Sequence, residues 1–158
     1  MLDPRWGPLT EDRLTRDLTI VQRARGHRFS SDDMATAYVA CRRAPDARRI
    51  LDLGCGIGSV LMMIAWRFPL AACTGVEAQQ ISAALARKSI AWNGAGERVR
   101  LIEGDFRDVA LEPAFDLVTG TPPYFPDGTG TLSGKVQAGP CRFEHRGGVE
   151  AYCNARCV

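Results

Sequence analysis

The chain has 158 residues, 46% hydrophobic and 24% charged, with a formal net charge of +2. That is room for one domain with its own core, and it excludes a wholly disordered chain. The charge is too balanced to signal nucleic acid by itself, although ten arginines stand against seven acids within residues 1–49.

Eighteen of the twenty basic residues are arginine, the cation suited to bidentate phosphate contacts. Met1 to Pro8 has no basic stretch followed by an apolar run, as a secretory signal would. The longest apolar run, Val60–Trp66, is too short to span a bilayer. These features predict a soluble, cytoplasmic protein with no membrane partner. The six cysteines are then expected as reduced thiols. Cys153 and Cys157 lack a second pair or a histidine cluster, so no metal site is expected.

Residues 9–28 are arginine-rich and read as weakly helical through Leu14, Leu18 and Val21. Ser30 or Ser31 caps a helix over about 32–43, with Met34, Tyr38 and Cys41 on one face. Pro45-Asp46-Ala47 is a turn. Strands follow at 49–53, 72–76, 99–103 and 115–119. Helices are predicted at 59–68, ending before Pro69, and at 78–93, with Ile81, Leu85 and Trp92 inward and Gly94 as its stop. Residues 122–140 are loop-like, and a helix begins near 148–152. Strands alternating with helices predict a parallel sheet. The expected organisation is an arginine-rich helical extension over 1–48, packed on a core domain over 49–158. The last strand would be apolar and uncovered, which predicts a fold truncated after its fourth parallel strand.

The densest signal is Asp52-Leu53-Gly54-Cys55-Gly56-Ile57-Gly58, between a strand and a helix. Glycines let the backbone bend and approach a ligand, and the following helix aims free N–H groups at it. The spacing of Gly54, Gly56 and Gly58 is not the G-x-G-x-x-G of a nicotinamide site. Asp52 would repel a pyrophosphate but suits an ammonium group. Glu77, at the next strand end, suits two ribose hydroxyls. Asp105 suits an adenine amino group, with Phe106 against the ring. Together they predict a pocket for S-adenosylmethionine (SAM), an adenosine with a cationic, amino-acid-like tail. The region 49–125 resembles the class I SAM-dependent methyltransferases, which implies an α/β, Rossmann-like fold.

After the fourth strand comes Thr121-Pro122-Pro123-Tyr124. Two prolines fix the backbone and leave carbonyls free to accept, and an aromatic follows, which suits a planar amine. The motif is similar to the Asn/Asp-Pro-Pro-Tyr/Phe of methyltransferases acting on planar nitrogens. With Gly26 to Asp33 and Arg146 to Tyr152, it resembles the bacterial tRNA (adenine-N6) methyltransferases of the valine-tRNA type, in the methyltransferase small domain family. The resemblance implies SAM as cofactor and an RNA substrate, with methyl transfer to adenine N6. Thr121 Oγ and the Pro122 carbonyl would accept the amine hydrogens, with Tyr124 stacked on the ring. Thr121 departs from the usual Asn or Asp, and its hydroxyl polarises the amine less. Guanine N2 in ribosomal RNA, a protein glutamine, or a non-catalytic SAM- or RNA-binding role stay open as alternatives.

Overall fold

Residues 49–103 fold as their pattern requires. The structure, a computed structural model, describes residues 6–111, 114–122 and 149–155. In chain order the elements are β1 (Leu9–Arg13), β2 (Thr19–Arg23), α1 (Ser31–Arg43), β3 (Arg49–Leu53), α2 (Ser59–Arg67), β4 (Ala72–Glu77), α3 (Gln80–Trp92), β5 (Val99–Glu103), β6 (Leu117–Gly120) and α4 (Val149–Cys153). Strands β3 to β6 form one parallel sheet in the order β5-β4-β3-β6. Helices α1, α2 and α3 supply the larger core on one face, with Ile50, Leu61, Ile64 and Leu85 fully buried. On the other face Leu51, Leu53 and Val76 are buried beneath Phe106, Val109, Phe115 and Tyr152. Among the described residues, no helix is long and apolar enough to cross a membrane.

The region 9–28 is not helical. It is an antiparallel hairpin with Leu9 opposite Arg23 and Arg13 opposite Thr19. The β-branched run Thr19-Ile20-Val21 favours a strand, and the backbone donors of β2 find side-chain acceptors on α3 and at its C-cap, Asn93. Val21 N donates to Ser89 Oγ at 2.9 Å and Thr19 N to Asn93 Oδ1 at 3.0 Å. Buried Gln22 ties the hairpin to the following chain, donating to Asp12 at 2.8 Å and accepting from Phe29 N at 3.1 Å. Hydrogen bonds from Thr10 and Gln22, with the Arg28 guanidinium beside it, hold the Asp12 carboxyl below its ordinary range.

Helix α1 starts with a capping box. Ser30 accepts from Asp32 N, while Asp33 Oδ2 accepts from Ser30 N at 3.0 Å. Its buried residues are Ala37 and Ala40, whereas Met34 and Tyr38 are exposed, with the Arg42 guanidinium 5.8 Å from the Tyr38 ring. Small residues let α1 lie close on α2, so the large side chains predicted to share a face with Cys41 turn to solvent. Trp92 is likewise outward, at 56% exposure, because Leu85, Ala86, Ser89 and Ile90 take the inner face of α3.

Strand β6 begins at Leu117 rather than at 115. Asp116 instead accepts from Arg48 N and Arg49 N, both at 2.8 Å, and pins the start of β3. Among the described residues β6 is an edge strand, but it is not bare. Thr119 is buried and Leu117 and Val118 are half-buried.

Candidate functional site at the carboxyl edge of the sheet

The strand ends bring the predicted residues to one edge. Asp52 and Leu53 end β3 and lead into the glycine bend. There Gly54, Gly56 and Gly58 hold φ of 61°, 57° and 86°, left-handed values that favour glycine. The bend is tied down by Cys55 N donating to Val76 O at 3.0 Å and Gly58 N to Cys55 O at 2.9 Å. Gly58 is the N-cap of α2 and offers no side-chain cap.

Asp52 is 2% exposed. Its Oδ1 accepts from Thr119 Oγ1 at 2.9 Å. Its Oδ2 is buried with no hydrogen-bond partner among the described residues. Burial is the main force pushing its carboxyl up to about 7; Asp33 and Glu77 add to it, while Thr119 and the Leu61 amide oppose it. A buried carboxylate oxygen left without a donor is costly, and such groups mark sites that take a ligand. An ammonium group would supply the missing donor and charge.

Glu77 is also buried, and both of its oxygens hold backbone. Oε2 accepts from Gly56 N at 2.8 Å and Oε1 from Gln79 N at 2.7 Å. Glu77 therefore braces the bend, and a carboxylate has acceptor capacity beyond these two bonds. Replacing Glu77 with alanine is expected to lower the melting temperature and weaken cofactor binding about tenfold or more. Calorimetry and thermal melting together check this.

Asp105 is turned to Arg107, whose Nε and Nη2 lie 2.8 and 2.5 Å from its two oxygens. Phe106 packs against Tyr152, with ring centroids 4.6 Å apart. A Cβ on Gly54 or Gly120 would collide with the Tyr152 ring or its hydroxyl, so Tyr152 lies over both strand tips. Leu53 pairs with Gly120, so Gly54 and Thr121 follow directly on adjoining strand ends, with Pro122 next after Thr121. Pro123 and Tyr124 lie outside the described residues. No group of three or more His, Cys, Asp or Glu able to hold a metal occurs among the described residues. Cys41, Cys55, Cys73 and Cys153 are free thiols, and burial pushes those of Cys55 and Cys73 upward.

Three residues join the site that local pattern did not mark as part of it. Asp33 accepts from Ser59 Oγ at 3.1 Å, which links the start of α1 to the start of α2, and Thr119 reaches Asp52 across the sheet. In sequence Asp33 stands only at the end of the Gly26 to Asp33 segment, with no partner marked. Thr119 needs the register of β3 with β6.

Residues 50–130 match the methyltransferase domain family. The chain belongs to that family. This methyltransferase chain is 30% identical over 110 residues to a tRNA1(Val) (adenine(37)-N6)-methyltransferase of a Flavobacteriaceae bacterium, covering 70% of this chain and 47% of the relative. It is 39% identical over 87 residues to a release factor glutamine methyltransferase of Geobacter sulfurreducens, covering 55% and 30%. A 4-amino-L-phenylalanine/4-methylamino-L-phenylalanine methyltransferase of Streptomyces pristinaespiralis is 32% identical over 155 residues, covering 84% and 52%. The methyltransferase chain thus spans about half or less of the length of these relatives. Among solved structures, P. horikoshii TYW2 in complex with MeSAdo is similar in fold, with a TM-score of 0.55 at 20% identity, covering 66% of this chain and 39% of that one. The fold is the Rossmann-like fold of class I methyltransferases, and the cofactor of that class is SAM. The residues at the sheet edge fit it: the orphaned Asp52 oxygen suits the ammonium end, and Glu77 suits the ribose.

Proposed function

We propose that this chain works in methyl transfer from SAM to the exocyclic amine of a nucleobase, adenine N6 in tRNA. The observation that carries the reading is the juxtaposition of two strand tips. β3 presents the buried Asp52 and the glycine bend, and the adjoining β6 presents Thr121 and Pro122. The acceptors named for the relatives support the chemistry. An adenine amine, a glutamine amide and an anilinic amine are all nitrogens conjugated to a π system.

The cofactor supplies an electrophilic methyl group on a sulfonium. Asp52 would hold its ammonium end and Glu77 its ribose. Asp105, shared with Arg107, and Phe106 would hold the adenine. Thr121 Oγ1 and the Pro122 carbonyl accept the two amine hydrogens. They would draw electron density onto the nitrogen and orient its lone pair for attack. By the motif alone, Tyr124 would stack on the acceptor ring. Attack by the nitrogen on the methyl carbon would break the sulfur–methyl bond, leave the cofactor as the neutral thioether S-adenosylhomocysteine, and release one nitrogen proton to solvent. Catalysis is then mostly orientation and electrostatic placement. Removing one acceptor typically costs about 10²–10³ in rate.

The glutamine reading has its own support in the relative that is 39% identical. Incubation with methyl-labelled SAM and, separately, tRNA, ribosomal RNA, a release factor and 4-aminophenylalanine separates the acceptors. Label is expected in N6-methyladenine of tRNA. Label confined to the release factor would replace the nucleobase reading, and cofactor binding without transfer to any acceptor would leave a binding role.

RNA contact by the arginines divides by geometry. Arg23 Nε donates to Trp6 O at 2.5 Å, and Arg28 bonds Thr10 and Asp12, so both serve the hairpin. Arg16 and Arg25 are exposed. Replacing both with alanine is expected to reduce the salt slope of tRNA binding by about one to two. An unaltered slope would make them a solvated face.

A further inference from the structure

We propose that Thr119 is a positioning residue for the cofactor, holding one oxygen of the Asp52 carboxylate so that the other is presented to the ammonium group. The proposal rests on the reading of Asp52 as the ammonium ligand and assigns a new role to a residue of the neighbouring strand.

Thr119 and Asp52 are register partners in the parallel pair β3 and β6, so their side chains project from the same face of the sheet. Both are buried, at 8% and 2% exposure. The Thr119 hydroxyl has a single hydrogen. It donates to Asp52 Oδ1 at 2.9 Å, and the Leu51 carbonyl oxygen lies farther away at 3.3 Å. Oδ1 is thereby satisfied, and Oδ2 is the oxygen left over. Threonine suits this task because its β-branch stiffens χ1, so the hydroxyl is aimed without further support. Its place in the strand calls for such a reason. Leu117 and Val118 precede it, and valine has the same shape without the cost of a buried hydroxyl.

The charge around Asp52 makes the donation matter. Asp33 at the start of α1 and Glu77 at the end of β4 both disfavour its ionised form, and the Leu61 amide of α2 is the other group that favours it. Asp33 is itself held by Ser30 N and Ser59 Oγ, and so stays close. Without the hydroxyl, Asp52 would take up a proton at higher pH, and a neutral carboxyl pairs poorly with an ammonium group.

The test is calorimetric titration with SAM between pH 5.5 and 8.5 for the parent chain and for Thr119→Val, Thr119→Ser and Asp52→Asn. Thr119→Val is expected to weaken binding about tenfold near pH 7, the scale of one lost charge-assisted hydrogen bond, and to move the pH midpoint of binding upward. Thr119→Ser is expected to restore both. Should valine fail to fold, Thr119→Ala carries the same readout. A Thr119→Val protein with a changed melting temperature but unchanged affinity and midpoint would make Thr119 structural and overturn the proposal. Unchanged affinity in Asp52→Asn would overturn the ligand reading itself, and the proposal with it. A loss in Asp52→Asn alone overturns only the role of Thr119.

Discussion

Asp52→Asn is expected to flatten the pH dependence of stability between about pH 4 and 7 and to cost about a hundredfold in SAM affinity. The folded carboxyl titrates near 7 against a reference of 3.8. Between these values the folded protein keeps a proton that the unfolded chain has released, so the stability contributed by the neutral form is fully present below 3.8 and lost as pH rises toward 7. The slope is about 1.4 kcal/mol per pH unit, and the loss across the window is on the order of a few kcal/mol. Asp12 and Asp116 are shifted the other way, and their contributions disappear as pH falls through values below the ordinary carboxylate range, outside this window. Melting curves from pH 4.5 to 7.5 should therefore slope downward in the parent and lie nearly flat in Asp52→Asn. The affinity loss follows from removing one partner of a buried charge pair, which costs about 2–5 kcal/mol. Calorimetry with unchanged affinity would remove Asp52 from the pocket.

Gly75→Val is expected to destabilise the protein by about 2–3 kcal/mol and to lower its melting temperature by roughly 5–10 °C. Gly75 lies in β4 between β3 and β5. A Cβ there would stand 2.7 Å from Leu61 Cδ2, 2.8 Å from Cys55 Sγ and 3.2 Å from Leu101 Cδ1. Leu61 is fully buried and Cys55 nearly so, which leaves neither room to retreat. Cys55 belongs to the glycine bend, so the displacement should reach the cofactor edge and weaken SAM binding as well. Gly75→Ala should show the same signs at smaller size. A melting temperature within a degree or two of the parent would mean that α2 yields easily.

Strands β3, β4 and β5, and helices α2 and α3 between them, stand within a residue or two of where hydrophobic pattern and glycine or proline stops place them. These are local signals: a short apolar run, a helix period, a breaker. The hairpin of β1 and β2 was not legible for a physical reason. Ile20, Val21 and Gln22 are all buried, because β2 is packed against α3 as well as paired with β1, and three buried residues in a row erase the alternation that marks a strand. Met34, Tyr38 and Trp92 misled in the same way. Which face of a helix is covered depends on the neighbour, and the close approach of α1 to α2 selects alanines.

The candidate site divides along the same line. Asp52, the three glycines and Glu77 were readable because strand ends and bends are written in adjacent residues. Asp105 and Phe106 follow the end of β5, and Asp105 meets its neighbour Arg107 two residues on, but the Tyr152 partner of Phe106 appears only in the fold. By itself the sequence determined an α/β chain whose acidic strand ends and glycine bend suit a cationic nucleoside, since those choices are made over a few neighbouring residues. Only the tertiary structure decided that Thr119 and Asp33 complete the surroundings of Asp52. They lie 67 and 19 positions away in the chain, and it takes the register of parallel strands and the seating of α1 on α2 to bring them to one carboxylate.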